Sequence, residues 1–208
     1  MSATPFDPTL YQAALKTASL GRFLTYRNVT ETTMTLARRE ADEGAPHGTI
    51  VIAEEQTAGR GRKGRAFFSP PGENLYFTLI LRCPPAVHRR LPVIVPVAVC
   101  QAIREELVDA RINWPHDIWV GKRKLAGMLI DAETGPEGPI AYPGIGINVN
   151  ADPTVNPELR DIATCLRTEV GRRVQRETLL ASICNRLEPL LVPNEDPLMQ
   201  EYRALSLV

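Results

Sequence analysis

The chain has 208 residues, with 24 basic and 24 acidic side chains and a hydrophobic content of 44%. This length suits one domain, or one domain with a small appendage, and the apolar content excludes a disordered protein. Because the formal net charge is zero, the chain lacks the broad basic face of a protein that holds nucleic acid by charge alone. Locally concentrated positive charge therefore favours a small anionic ligand.

The cysteine and histidine pattern argues against a metal cage. Cys83, Cys100, Cys165 and Cys184 form neither a CxxC pair nor a zinc-ligand spacing, and the histidines are dispersed. We therefore expect reduced thiols and no tightly bound metal. The N-terminus shows no signal sequence, and no apolar window is long enough for a membrane span. These features predict a cytoplasmic protein without a membrane partner.

Periodicity and turn residues divide the chain into short elements. A lead-in of residues 1–24 carries a short helix near residues 10–18. The predicted elements that follow are a helix at 32–43, strands at 49–53 and 74–82, a helix at 93–108, strands at 111–114, 118–120, 124–132 and 140–148, and helices at 158–167 and 176–191. Strands first, with helices late in the chain, predict an α+β or mixed α/β layered domain.

A glycine-rich basic loop follows the first predicted strand, in the run QTAGRGRKGRAFFSPPGENL at residues 56–75. Its cations are Arg60, Arg62, Lys63 and Arg65, and its glycines are Gly59, Gly61 and Gly64. Glycine lets the backbone approach a ligand closely, and arginine forks can converge on phosphate or carboxylate oxygens. The pattern favours an anion site, and a solvated basic turn is the alternative.

The run WPHDIWVGKRKLAG, residues 114–127, adds a carboxylate and a lysine. Asp117 at a strand corner can hold Mg²⁺ or a ligand hydroxyl. Lys124 begins an apolar strand, where burial without an anion is costly, and Gly127 leaves room for a ligand against the sheet. The alternative is that Lys124 starts the strand and points to solvent.

Two weaker signals accompany these motifs. Gly144 and Gly146, in GIGINVN, remove the side chains from one face of a predicted strand, which makes space for a ligand or marks a β-bulge. Thr32 and Thr33 open the first long helix, where an N-cap is the alternative to binding a small polar head group.

In this order, the runs GRGRKGRAFFSPPGENLYFTL, WPHDIWVGKRKLAGMLID and GIGINVN resemble the catalytic domain of biotin protein ligases over roughly residues 28–191. The resemblance implies an α+β fold with a mixed, largely antiparallel sheet and helices packed on it, similar to class II aminoacyl-tRNA synthetases. It also implies an ATP-dependent enzyme that activates biotin as biotinyl-5′-AMP, with Mg²⁺ as activator. Biotin then passes to a lysine of the biotin carboxyl carrier protein of acetyl-CoA carboxylase or a related carboxylase.

The resemblance also implies residue roles. The expected catalytic residues are Arg60 and Lys124, which hold the biotin carboxylate and the bridging phosphate, and Asp117, on the nucleotide side and as a magnesium ligand. The expected biotin-binding residues are Thr32, Thr33, Gln56, Gly59, Arg60, Lys124, Gly127, Gly144 and Gly146, with Thr32, Thr33 and Gln56 bonded to the ureido head. The expected adenylate-binding residues are Gly61, Arg62, Arg65, Phe67, His116, Asp117 and Asn148.

The chain departs from the family pattern in two residues and in its domain organisation. His116 stands where Asn is usual, and Phe67 stands where Trp is usual. We expect residues 1–24 to form a lead-in without a DNA-binding domain and residues 25–208 to form the catalytic domain, without the small C-terminal β-barrel of relatives. An edge strand of such a sheet could pair in a homodimer.

Three alternatives to a biotin ligase remain at this point. A lipoate or octanoate ligase shares the fold and the acyl-adenylate chemistry. A non-catalytic biotinyl-adenylate-binding protein, or a degenerate interaction module, would keep the fold without turnover. A nucleic-acid reader would use the basic loop, and steep salt dependence of binding would be its mark.

Overall fold

A computed structural model describes residues 4–61, 66–135, 138–192 and 196–207. Within these residues the chain forms an eight-stranded sheet. The strands are β1 (Leu24–Thr30), β2 (Ile50–Gln56), β3 (Leu75–Leu79), β4 (Leu81–Arg82), β5 (Ala110–Asn113), β6 (Asp117–Val120), β7 (Arg123–Gly135) and β8 (Gly138–Ile147). The helices are α1 (Pro8–Ala14), α2 (Thr33–Asp42), α3 (Pro85–His88), α4 (Leu91–Arg104), α5 (Leu166–Val170), α6 (Arg176–Leu187) and α7 (Asp196–Leu205), with short 3-10 turns at Pro153–Val155 and Glu188–Leu191.

The strand order is β1-β2-β3-β8-β7-β6-β5, with β4 beside β8. Only β1 and β2 pair in parallel among the described strands, and the other neighbours are antiparallel. This confirms the predicted α+β fold with a mixed, largely antiparallel sheet. None of the helices in the described ranges is long and apolar enough to cross a membrane.

The two faces of the sheet are covered differently. A large core lies on one face, where α4 and α6 pack on buried strand residues such as Phe77, Ile145 and Ile147. On the other face, α2 covers a smaller cluster that contains Leu36 and Tyr142. Because side chains alternate along a strand, Gly144 and Gly146 lie on the same face as Tyr142, beside α2. The part of this face that α2 does not cover is available for a ligand site.

Helix α2 begins where the sequence predicts. Thr32 has extended backbone angles, and its hydroxyl accepts a hydrogen bond from the Thr35 amide at 2.9 Å. This bond satisfies one of the amides that a helix N-terminus otherwise leaves without a partner. Thr32 is therefore the N-cap, and the N-cap interpretation is confirmed for this residue.

The structure corrects the prediction of a helix at residues 158–167. Residues 157–162 form turns, and α5 begins only at Leu166. The Ile162 carbonyl accepts from the Lys124 amide at 2.8 Å, and the Thr164 amide donates to the Lys124 carbonyl at 2.9 Å. Because these groups bond to β7, they are not available for the hydrogen bonds of a helix.

Three elements were absent from the sequence prediction, namely β1, the short helix α3 and α7. Strand β1 follows the lead-in as an edge strand with only partly buried or exposed residues, which gives a weak alternation pattern. Helix α7 packs on α4 through Leu198 and Tyr202. The helix predicted at 93–108 ends earlier, at Arg104, and Leu107 adopts a positive φ of 65°.

A buried ion pair between Arg176 and Glu54 anchors the lead-in to the main core. Arg176 on α6 contacts both carboxylate oxygens of Glu54 on β2, at 2.7 and 3.3 Å, and the two side chains are 4% and 9% exposed. Glu54 also accepts from the Phe6 amide at 2.6 Å and from the Tyr26 hydroxyl at 2.9 Å. Burial raises the pKa of Glu54, but the bonds from Arg176, Phe6 and Tyr26 outweigh it, so the net pKa is lowered. One carboxylate thus joins the lead-in, β1, β2 and α6.

We expect the free energy of unfolding to decrease between about pH 7 and pH 5 because of His47. Its Nδ1 accepts from the Arg82 amide at 3.0 Å, and burial, followed by the charge of Arg82, lowers the pKa of His47. A lowered folded-state pKa gives stability that is complete above the unfolded pKa, near 6.5, and is lost as pH falls through the folded value. Urea unfolding at several pH values measures this decrease.

The matched variant for this test is His47→Asn, whose amide oxygen can accept the same backbone hydrogen bond without titrating. We expect its stability to change less than that of the wild type over this pH range. Hydrogen bonds also lower the pKa of Glu54 and Glu188 against the effect of burial, but these carboxylates titrate below about 4.5, in a lower window. Equal slopes for His47→Asn and wild type would refute the role of His47.

Candidate active site

A cleft of about 800 Å³ lies on the sheet face that carries α2. Its walls are α2 along its length, from Thr33 to Asp42, the loop after β2 and the turns at residues 159–163. Most of the predicted site residues line it, namely Thr32, Thr33, Gln56, Arg60, Gly61, Phe67, Asp117, Lys124, Gly127, Gly144, Gly146 and Asn148. The structure therefore brings together residues from five separate segments of the chain.

Four predicted residues do not appear in this lining. Arg62 and Arg65 fall outside the described residues. Gly59 lies behind the cleft wall, where an added Cβ would be 2.8 Å from Ser69 Oγ and 3.0 Å from a backbone oxygen. The backbone carbonyl of His116 accepts a hydrogen bond from the Met128 amide at 2.9 Å, which links the corner before β6 to β7.

A polar network forms one end of the cleft. The side-chain oxygen of Gln56 accepts from the amide of Thr33 at 3.0 Å and lies 3.3 Å from its hydroxyl. The Thr33 hydroxyl also lies 2.9 Å from that of Thr78, and the Gln56 amide nitrogen donates to Ser69 at 3.2 Å. Because Gln56 ends β2 and Thr33 begins α2, rigid elements hold the network in place. It can offer both donors and acceptors to a polar head group.

An ion pair forms the other end. Lys124 Nζ lies 2.8 Å from Asp117 Oδ1, and the two side chains are 35% and 32% exposed. Asp117 begins β6, and Lys124 lies near the start of β7. The register of the β6–β7 pair shifts between Ile118 and Trp119 on β6. Lys124 therefore has a carboxylate partner and does not simply point to solvent. Lys124 can exchange the carboxylate of Asp117 for the anion of a ligand.

The backbone of Lys124 fixes the neighbouring wall. Its two main-chain hydrogen bonds hold Ile162 and Thr164, and the Asn148 side chain donates to the Thr164 carbonyl at 3.0 Å. The wall that results is apolar, with Leu159, Ile162 and Ala163 at the cleft, and Ile162 is exposed. A flat apolar group of a ligand could pack against this wall.

Arg60 is exposed and only weakly held. Its guanidinium lies 3.7 Å from the Glu31 carboxylate, and both side chains are more than half exposed. Such a surface pair contributes little to stability, typically below about 1 kcal/mol. Arg60 can therefore turn toward an anion in the cleft at little cost.

The side chains of Phe67, Met34 and Lys124 occupy the space above the glycines of the sheet. An added Cβ would be 2.5 Å from the Phe67 ring at Gly146 and 2.7 Å from Met34 at Gly144. At Gly127 it would be 2.8 Å from Lys124 Nζ. The predicted ligand space at these glycines is thus used by Phe67, Met34 and Lys124, and a ligand would contact these side chains first.

Sequence reasoning missed Met34, Arg38 and Asp131 at the cleft. Arg38 on α2 pairs with Asp131 on β7 at 2.9 Å, and its guanidinium lies 5.4 Å from the Tyr142 ring centroid. Met34 and Arg38 are four residues apart, so they lie on the same face of α2. That spacing was the available signal, once α2 was known to border the site.

The carboxylates among the described residues that line the cleft belong to Asp42, Asp117 and Asp131. No group of three or more His, Cys, Asp or Glu side chains that could hold a metal occurs among the described residues. Mg²⁺ is commonly bound through one or two carboxylates together with substrate phosphates. Asp117 fits that kind of site as one carboxylate ligand.

Comparison with known proteins places the geometry in context. Residues 26–150 match the family model described as the biotin/lipoate A/B protein ligase family. The bifunctional ligase/repressor BirA of Bacillus subtilis is 37% identical over 81% of the chain and 54% of its own length. The human biotin–protein ligase is 30% identical over 94% of the chain and 28% of its own length. The chain thus spans about half, or less, of the length of these two curated relatives.

A solved structure shows the same fold. The biotin protein ligase from Aquifex aeolicus, in complex with biotin and ATP, aligns with a TM-score of 0.70 and 26% identity. The alignment covers 88% of this chain and 76% of the Aquifex chain.

Proposed function

Because the chain belongs to the biotin/lipoate A/B protein ligase family, we propose that it is an ATP-dependent biotin–protein ligase. It activates biotin as biotinyl-5′-AMP and transfers biotin to a lysine of a biotin carboxyl carrier protein. The observation that carries this proposal is one cleft with the Thr33–Gln56 network at one end and the Lys124–Asp117 pair at the other. The biotin–protein ligases among the relatives support the same substrate.

In the first step, a carboxylate oxygen of biotin attacks the α-phosphorus of ATP, and pyrophosphate leaves. Two anions must approach each other, so cations that neutralise and orient them lower the barrier. Lys124 is held at the cleft by Asp117, and Arg60 has only an exposed partner. We assign Lys124 and Arg60 to the biotin carboxylate and the α-phosphate.

In the second step, the amine of the acceptor lysine attacks the acyl carbon of the mixed anhydride. AMP leaves with the former bridging oxygen, and the nitrogen loses a proton as the amide forms. The apolar wall at Leu159, Ile162 and Ala163 borders the same end as Lys124. It would shield the anhydride from water until the acceptor arrives.

Mg²⁺ is expected to arrive with ATP and to be bound mainly by phosphate oxygens, with Asp117 as its protein ligand. When bound, it would neutralise charge on the departing pyrophosphate. The chain's own contribution is the orientation of Asp117, which the ion pair with Lys124 and the pairing of β6 with β7 provide.

The polar network favours biotin over lipoate or octanoate. A ureido group has donors and acceptors that can engage Gln56 and Thr33, whereas a dithiolane ring or an alkyl tail has none. Gln56 and Thr33 already bond to each other, so a ureido group would exchange hydrogen bonds with this network, whereas an apolar ring or tail would leave it as it is.

The test is mass spectrometry of the purified chain after incubation with ATP, Mg²⁺ and equal biotin and lipoate. We expect biotinyl-AMP and pyrophosphate. Lipoyl-AMP as the product would move the chain to the lipoate-ligase branch of the family, and no adenylate would refute the proposed activity. Adding a carrier domain distinguishes a ligase, which biotinylates its lysine, from a protein that only binds the adenylate.

A further inference from the structure

Met34 lies directly on Gly144. An added Cβ at Gly144 would be 2.7 Å from both Cγ and Sδ of Met34, closer than real side-chain contacts, and 3.4 Å from Thr78 Oγ1. Gly144 has no positive φ, so its backbone conformation does not require glycine. The absence of a side chain at position 144 therefore makes room for the Met34 side chain.

This contact lies at the polar end of the cleft. Met34 follows Thr33, whose amide and hydroxyl contact Gln56, and both Met34 and Gly144 line the cleft. Gly144 pairs with Thr78 of β3, and the Thr78 hydroxyl contacts Thr33. The Met34 side chain thus forms the apolar surface beside the groups that receive the head of the substrate.

We propose that Met34 is the specificity-determining wall of the cleft and that Gly144 is required to seat Met34 rather than to contact the substrate. The proposal rests on the proposed function for the identity of the substrate as biotin. The distance between this wall and Lys124 then sets the length of acid that the site accepts. A longer homologue held by its carboxylate at Lys124 would press its head group against Met34.

The physical basis is the flexibility of methionine. Met has an unbranched side chain that adapts to the space it is given. In Gly144→Ala the new methyl group would displace Met34 from the sheet, and the open side available to it is the cleft. The variant should therefore narrow the cleft through the displaced side chain of Met34.

A double-mutant cycle tests this arrangement. The rate constant kcat/KM for biotinyl-AMP formation is measured in wild type, Gly144→Ala, Met34→Ala and the double variant. We expect Gly144→Ala to lose about 10-fold or more, the size of effect that one methylene has in a tight pocket. In the double variant the loss should disappear, leaving kcat/KM within about 2-fold of Met34→Ala.

Two results of the cycle would overturn the proposal. An additive loss in the double variant would mean that Gly144 contacts the substrate directly. An unchanged kcat/KM for Gly144→Ala would mean that Met34 moves without narrowing the cleft. Thermal unfolding of each variant identifies a loss that arises from misfolding.

A second readout is the preference for biotin over homobiotin, which has one additional methylene in its side chain. We expect the ratio of the two kcat/KM values to decrease about 10-fold or more in Met34→Ala, because the truncated wall accommodates the longer acid. Met34→Leu, which conserves volume, should keep the wild-type ratio. An unchanged ratio in Met34→Ala contradicts the wall role, whereas failure of the wild type to form biotinyl-AMP contradicts the proposed function itself.

Discussion

The Lys124→Ala variant should form biotinyl-5′-AMP with a kcat/KM lowered by at least about 10²-fold, which is the effect of removing one preorganised electrostatic group from an active site. Lys124 is the cation held in the cleft by Asp117, at 2.8 Å. Alanine retains the main-chain bonds to Ile162 and Thr164 but loses the side-chain ion pair with Asp117. We therefore expect a folded protein that has lost the reaction, as measured by pyrophosphate release with saturating ATP.

The matched control is Lys122→Ala, which removes the same charge from an exposed turn two residues earlier. We expect this variant to keep activity close to that of the wild type. The assignment of Lys124 to the reacting groups fails if both variants lose activity equally, or if Lys124→Ala remains active. Circular dichroism of both variants checks that the sheet is intact.

The Arg176→Met variant should lose about 3–5 kcal/mol of the free energy of unfolding, since it leaves the carboxylate of Glu54 buried without its cation. Arg176 also donates to the buried carbonyl of Asn74 at 2.9 Å and to the carbonyl of Thr4 at 2.8 Å, so these acceptors also lose their donor. Urea unfolding near pH 7 measures the loss.

Arg173→Met is the surface comparison for this variant. Arg173 pairs with Glu73 at 2.9 Å, but its side chain is 45% exposed, so we expect a loss below about 1 kcal/mol. Removing both buried charges, in Glu54→Gln with Arg176→Met, should recover part of the stability that Arg176→Met loses. Equal losses at Arg173 and Arg176 would show that burial does not govern the strength of these pairs.

The parts of the fold with strong local signals were predictable. The Thr32 cap and the apolar periodicity after it specify α2, and a run of β-forming residues specifies β3. Strand β1 was not predictable in this way, because an edge strand buries too little to impose an alternation. The turns at residues 157–162 were mistaken for a helix because their hydrogen-bond partner, Lys124, is distant in sequence.

The candidate site divides in the same manner. Lys124 and Asp117 are charged residues at a strand start and a strand corner, which made them candidates before any contact was known, whereas Gln56 was a candidate only through the family resemblance. Met34 could not be identified in that way, because an apolar residue on an amphipathic helix ordinarily faces the core. Its position on Gly144 depends on the packing of α2 against β8, which no local pattern encodes.

The attachment of Lys124 to the turns at residues 157–164 has a consequence for sequence variation. Both bonds that join them, from the Lys124 amide to Ile162 and from the Thr164 amide to Lys124, run between main-chain atoms. Side chains in this segment can therefore be exchanged without detaching the wall from Lys124, so the surface of the wall can diversify while Lys124 keeps its position. Proline at position 164 is the exception, because it has no amide hydrogen to donate.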